Sequence, residues 1–194
     1  MTTGPQSGLL IYTDASYVHA KLQGSWGAVI VWQGTRESFG APFKGPCSSS
    51  TLAELQGVAN ALHIAVAAGK LRRDVEALVL CDCLSVVQLL NGEVAPTAKR
   101  LRRAEYQAAA RKVREIVRDV RAAVRFDWVK GHQTPDSDCP HAQGNREADR
   151  AATNARPDVD QLRAKKRARE RAAKKARRVK KAMLARQQTE RTGE

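Results

Sequence analysis

Leu9-Leu10-Ile11-Tyr12-Thr13-Asp14-Ala15-Ser16 is the stretch whose reading decides the fold. Apolar and β-favouring residues run straight into a carboxylate, and the chain then turns polar over residues 17–24. Such side chains fit a pleated, half-buried surface, so the run predicts a strand that ends on Asp14. A carboxylate delivered to the end of a buried strand costs free energy unless water, a partner or a metal ion receives it. Taken alone, Asp14 would be received by solvent. A second run of the same kind changes that reading. Val75-Glu76-Ala77-Leu78-Val79-Leu80-Cys81-Asp82 is continuously apolar from Ala77 to Cys81, as in a strand buried on both faces, and it too ends on an Asp.

The segments between and beyond these runs supply the rest of an α/β domain. Trp26-Gly27-Ala28-Val29-Ile30-Val31-Trp32 predicts a second strand, and residues 36–40 a third after a Gln33-Gly34-Thr35 turn. Turn-length gaps make these an antiparallel meander. Leu55, Val58, Ala59, Leu62 and Val66 recur at helical spacing. Ser50 and Thr51 can cap that helix, Thr51 with Glu54 at the better spacing, and Gly69 ends it. In the first turn, Glu54 would be explained by the helix dipole alone. After Asp82 come a short helix over 84–90, a stop at Asn91-Gly92, and a linker holding Pro96. A longer helix over 99–121 would bury Tyr106, Ala109, Val113, Ile116, Val117 and Val120. Its other face, with Arg102, Arg103, Arg111, Lys112, Arg114 and Arg118, reads as solvated or as a phosphate contact. Val124, Phe126 and Trp128 alternate with polar residues as a half-buried strand. Lys130-Gly131-His132, a polar loop and a last helix opening at Asn145 complete the order βββαβααβα around a mixed sheet.

Parallel neighbouring strands would bring Asp14 and Asp82 to one sheet edge, where α/β folds commonly bind ligands. Glu54 and Asp149 can approach the same point. Acidic groups so crowded repel one another unless divalent cations balance them, and an oxygen-only donor set suits Mg2+ or Mn2+. Two such ions about 4 Å apart can activate a water and stabilise a leaving oxygen in phosphodiester cleavage.

Five motifs carry a resemblance. Tyr12-Thr13-Asp14-Ala15-Ser16, Ala53-Glu54-Leu55, Cys81-Asp82-Cys83, Trp128-Val129-Lys130-Gly131-His132 and Asn145-Arg146-Glu147-Ala148-Asp149 together resemble type 1 ribonuclease H, in order, spacing and the element bearing each. The resemblance implies a ribonuclease H-like fold with a five-stranded mixed sheet flanked by helices. It implies metal-dependent endonucleolytic hydrolysis of the RNA strand of RNA–DNA hybrids, leaving a 5′-phosphate and a 3′-hydroxyl. By position, Asp14, Glu54, Asp82 and Asp149 would hold two Mg2+ ions (or Mn2+), with Asp14 bridging both. His132 would aid proton transfer or product departure, a task that suits an imidazole near neutrality. Ser16, Ser50, Thr51 and Asn145 would contact the hybrid, where 2′-hydroxyls tell RNA from DNA. Other readings are a DNA-acting nuclease of the same fold, resolvase- or transposase-like, and a nucleic-acid-binding module. The latter would be marked by a missing carboxylate, and all four are present.

This sequence departs from the family pattern in several places. Residues 17–24 replace a glycine-rich turn, Ser50-Thr51 replaces an Asn pair, and the loop over 133–144 is long. The segment after Gly92 leaves little room for the basic protrusion of some members. A zinc site from Cys81, Cys83, Cys139 and His141 fits no standard finger spacing, and buried or surface thiols are the ordinary alternative.

Charge divides the chain. The formal net charge is +14, from 34 Lys and Arg against 20 Asp and Glu. Residues 157–194 hold 14 of those cations and five of the acids, a net of +9, which leaves +5 for residues 1–156. A ribonuclease H domain over 1–156 and a Lys/Arg/Ala-rich extension over 157–194, helical or disordered, are expected, with Pro157 between them. Basic chains favour polyanionic partners, so the extension reads as an electrostatic tether for nucleic acid. Four irregularly spaced cysteines form no disulfide framework, which points to a reducing, cytoplasmic compartment. Residues 1–8 hold no basic region followed by an apolar core and no apolar run reaches bilayer length, so no secretory signal and a monomer that does not engage membranes are expected.

Overall fold

The computed structural model describes residues 8–19, 22–93, 103–134 and 137–156. Its elements are β1 (Leu9–Val18), β2 (Gln23–Trp32), β3 (Thr35–Pro42), α1 (Ser50–Ala67), β4 (Glu76–Cys81), α2 (Leu84–Asn91), α3 (Ala104–Val120), β5 (Ala123–Trp128) and α4 (Ala142–Asn154). This is the expected order. The five strands form one sheet in the order β3-β2-β1-β4-β5. The first three strands make the antiparallel meander, while β1 with β4 and β4 with β5 are parallel. The described residues belong to one compact unit ending at Arg156, and the extension over 157–194 lies outside them. Among the described residues no helix is long and apolar enough to cross a membrane.

Alternation along the strands divides the core between two sheet faces. Ile11, Ile30 and Val79 point to one face and meet Leu55, Val58 and Leu62 of α1. Tyr12, Val29 and Leu80 point to the other and meet Ala148 of α4. The helix α3 packs on α1 as an outer layer. Its buried line is therefore narrow: Tyr106, Ala110, Val113 and Ile116 are buried, while Ala109, Val117 and Val120, expected inside, are half-buried. The expected beginning of that helix, residues 99–102, and the linker with Pro96 lie outside the described residues.

Three boundaries differ from expectation. β1 does not stop at Asp14. Toward β4 its pairing ends at Thr13↔Cys81, but toward β2 it continues through Asp14↔Gly27 to Val18↔Gln23, because the longer β2 satisfies its backbone there. The cap of α1 is Ser49, whose hydroxyl accepts from Leu52 N at 3.1 Å, and not Ser50 or Thr51. Glu54 consequently lies beyond the first turn, and the helix dipole does not account for it. Finally, α4 opens at Ala142, three residues before Asn145.

Glycines set how closely α4 approaches the sheet. A Cβ on Gly27 would overlap the Ala148 carbonyl oxygen and the Ala152 amide nitrogen, and one on Gly144 would overlap the Tyr12 ring. Ser25 Oγ donates to Ala152 O at 2.5 Å and fastens the far end of the helix to the same strand.

Candidate active site

The parallel pair β1 and β4 sets two carboxylates side by side. Because Thr13 is level with Cys81, the next residues, Asp14 and Asp82, leave the paired region together. Thr13 Oγ1 donates across the pair to Leu80 O at 3.4 Å. Asp14 is buried, 6% exposed, and its Oδ1 accepts from Ala15 N at 2.6 Å. α1 brings buried Glu54 against Asp14, and the two side chains share a hydrogen bond. From the other sheet face, α4 brings Asp149 within electrostatic reach of both Asp14 and Asp82. The four carboxylates that the motifs single out therefore gather at one sheet edge.

Burial and like charge disturb the ionisation of Asp14, Glu54 and Asp82. Removal from water, then repulsion from Asp82 and Asp149, pushes the Asp14 carboxyl up to about 8. Glu54 is raised as well, by burial first and by the Asp14 and Asp82 charges next. Asp82 is raised by burial, offset by the nearby His132 and a hydrogen bond from Asn145. Carboxylates arranged this way are short of positive charge. Their oxygens suit hard divalent cations, so the residues fit the metal implied by the motifs.

Several side chains hold Asp82 in place. Asn145 is 3% exposed and donates to the Asp82 carboxylate, while its Oδ1 has no hydrogen-bond partner among the described residues. Trp128, 45% exposed, donates from Nε1 to Asp82 O at 3.0 Å, and Val129 N donates to Cys81 O at 3.2 Å. Together these fix the end of β5 against the end of β4. The chain then passes so close to Asp82 that a Cβ on Gly131 would stand 2.5 Å from Asp82 Oδ2. That approach delivers exposed His132, in the left-handed region at φ 51°, to the Asp82 side of the cluster.

The expected hybrid contacts are placed less uniformly. Asn145 is beside Asp82 within the cluster. Ser50 is exposed at the start of α1, and Thr51 is buried behind it. Ser16 is buried on β1, where its hydroxyl accepts from Nε of Arg156, the last described residue. The four-residue zinc set is not assembled. His141 lies with Tyr12, whose OH is 3.0 Å from His141 Nδ1, and Cys139 belongs to that same sheet face. Among the described residues the group of potential ligands drawn together is instead Glu54, Cys81 and Asp82, with donor atoms within 4.8 Å of one another. The motif reading grouped Cys81 with Cys83, Cys139 and His141, and it overlooked the close approach of Gly131 and the place of Arg156. A glycine directly before the loop histidine was a readable sign of close approach. Nothing local marks Arg156.

A β3-β2-β1-β4-β5 sheet with acidic groups gathered beyond its central parallel pair defines a ribonuclease H-like hydrolase. The chain belongs to the RNase H family, whose family model matches residues 6–156. The structure is similar to the N-terminal RNase H domain of rv2228c from Mycobacterium tuberculosis, at 20% identity and TM-score 0.59, over 77% of this chain and 93% of that one. RNase H1 of the halophilic archaeon Halobacterium salinarum NRC-1 gives 16% identity and TM-score 0.57, over 76% and 96% of the respective chains. LC11-RNase H1, isolated from compost by a metagenomic approach and solved in complex with an RNA/DNA hybrid, gives 16% identity and TM-score 0.56, over 76% and 98%. No curated protein matches the sequence. These structures agree on the fold, and the family match makes the protein an enzyme, a ribonuclease H.

Proposed function

We propose that the enzyme is an endonuclease that hydrolyses the RNA strand of RNA–DNA hybrids, leaving 5′-phosphate and 3′-hydroxyl ends. Asp14, Glu54, Asp82 and Asp149 would hold two divalent cations, Mg2+ or Mn2+. The observation that carries this reading is the gathering of these carboxylates in a site where burial and like charge raise Asp14, Glu54 and Asp82 above the ordinary carboxylate range. When bound, the cations supply charge balance, a hydroxide-like water near neutral pH and stabilisation of the departing oxygen.

The chain's own residues would divide the remaining work. Asn145 and the close approach of Gly131 orient Asp82. Beside Asp82, His132 would pass a proton to the leaving 3′-oxygen or help the product depart. Ser16, Ser50, Thr51 and Asn145 would meet the hybrid where 2′-hydroxyls mark the RNA strand, and Arg156 beside Ser16 would add a cation for a phosphate. The LC11 relative, solved with an RNA/DNA hybrid, supports that class of substrate. The extension over 157–194 would tether nucleic acid by charge alone.

The test is cleavage of an end-labelled hybrid beside duplex and branched DNA, with Mg2+ or Mn2+. Wild type cuts the RNA strand, and Asp14→Asn loses at least about a hundredfold in rate. A hybrid left intact with both metals would reduce the protein to a binding module. Preferential cutting of duplex or branched DNA would make it a DNA-acting nuclease.

A further inference from the structure

One buried nucleophilic group among the carboxylates has no part in the hydrolysis described above. Cys81, 2% exposed at the end of β4, directs its Sγ toward Glu54 Oε2 at 4.0 Å. That is long for a hydrogen bond but suits two donors on one ion. Around a tetrahedral zinc, bonds of about 2.3 Å to sulfur and about 2.0 Å to oxygen set the two donors about 3.5 Å apart, so one ion touches both once they close by about half an ångström. Asp82 supplies a third donor within the same 4.8 Å. The Cys83 amide donates to Cys81 Sγ at 3.4 Å and orients the sulfur. A separate observation points to a ligand here. The buried Asn145 amide, tied by its nitrogen to Asp82, has an oxygen with no partner among the described residues.

We propose that Cys81, Glu54 and Asp82 form a second, thiophilic mode of the metal centre, which takes a soft divalent ion of the Zn2+ or Cd2+ class. The inference rests on reading the carboxylates as metal-binding groups. Hard ions use the carboxylate oxygens alone, whereas a soft ion recruits the sulfur. Binding forms a metal–sulfur bond and breaks the S–H bond, the proton passing to solvent, with no change of oxidation state. An ion so held is drawn toward the interior side of the cluster and competes with Mg2+ for Glu54 and Asp82.

The experiment titrates Cd2+ into the metal-free full-length protein and follows the ultraviolet thiolate-to-cadmium charge-transfer band. Wild type and Cys83→Ser should show the band at one equivalent, and Cys139→Ser likewise. Cys81→Ser and Cys81→Ala should lose it while keeping wild-type circular dichroism and cooperative melting. Competition against a chromophoric chelator should show Zn2+ affinity falling at least about tenfold in Cys81→Ser, with Mg2+ affinity changed less than about twofold. A band that survives in both Cys81 variants, or that vanishes with Cys83 or Cys139 instead, overturns the proposal. So does an equal loss of Zn2+ and Mg2+ affinity. If neither Cys81 variant folds, cadmium-113 NMR of Cys83→Ser and Cys139→Ser, each loaded with one equivalent of Cd2+, decides: a resonance in the thiolate-bound range supports the site, and one in the oxygen-only range rejects it. None of these readouts needs nuclease activity, so failure of the proposed substrate leaves them interpretable.

Discussion

At the scale of the residue, Asp14 links stability to pH. Its carboxyl is raised from 3.8 to about 8 in the metal-free fold, so between those values the native state binds more protons than the unfolded chain. Stability from this group is therefore greatest in acid and declines as pH rises through that window, levelling above about 8. Asp14→Asn removes the effect. Without metal at pH 8, the variant should melt higher than wild type by on the order of 2 kcal/mol, roughly 5 °C, and the gap should close at pH 4. Thermal melts with chelator at the two pH values check this, and saturating Mg2+ should reverse the order at pH 8. Gly131 is constrained differently. An alanine there meets Asp82 Oδ2 at 2.5 Å and displaces the carboxylate or the His132 loop. Gly131→Ala should lower hybrid cleavage at least about tenfold while moving stability by less than about 1 kcal/mol, because the loop can shift.

At the scale of the element, α4 is the least forgiving part. Its backbone rests directly on Gly27, and Asp149 and Asn145 travel with it. Gly27→Ala must lift the helix, so a loss of about 2–4 kcal/mol and weaker Mg2+ binding are expected together in denaturant melts and metal titration. Ser49→Ala removes both the α1 cap and the 2.7 Å bond to Tyr106 OH, and should cost about 1–2 kcal/mol. The same two elements show what the sequence made legible. Strand positions and the carboxylates at Asp14 and Asp82 followed from apolar runs, whose signal is local. The start of α1 did not, since Ser48, Ser49, Ser50 and Thr51 can all cap. The choice of Ser49 is supported by Tyr106, 57 residues away. The start of α4 was hidden because Gly144 reads as a helix breaker until Tyr12 is seen to occupy the space a side chain would need. Likewise, β1 runs past Asp14 only because β2 is there to pair with it.

At the scale of the whole molecule, charge and chain length matter most. The net of +9 in residues 157–194 is joined to the domain at Arg156, which bonds Ser16 on β1. Deleting residues 157–194 should weaken hybrid binding at least about tenfold near physiological salt and flatten its salt dependence, with turnover at saturating hybrid unchanged. Filter binding across a salt series measures this, and unaltered affinity would reject the tether. The parallel register of β1 and β4 has another consequence, for how such a chain can evolve. Side chains alternate across a strand, so losing one residue between Leu9 and Asp14, or between Ala77 and Asp82, turns a carboxylate to the opposite face. Drift by replacement is tolerated, as relatives of 16% and 20% identity with the same fold illustrate. Drift in length is not. A single in-frame codon deletion in either strand would silence the enzyme while leaving every acidic residue in its gene.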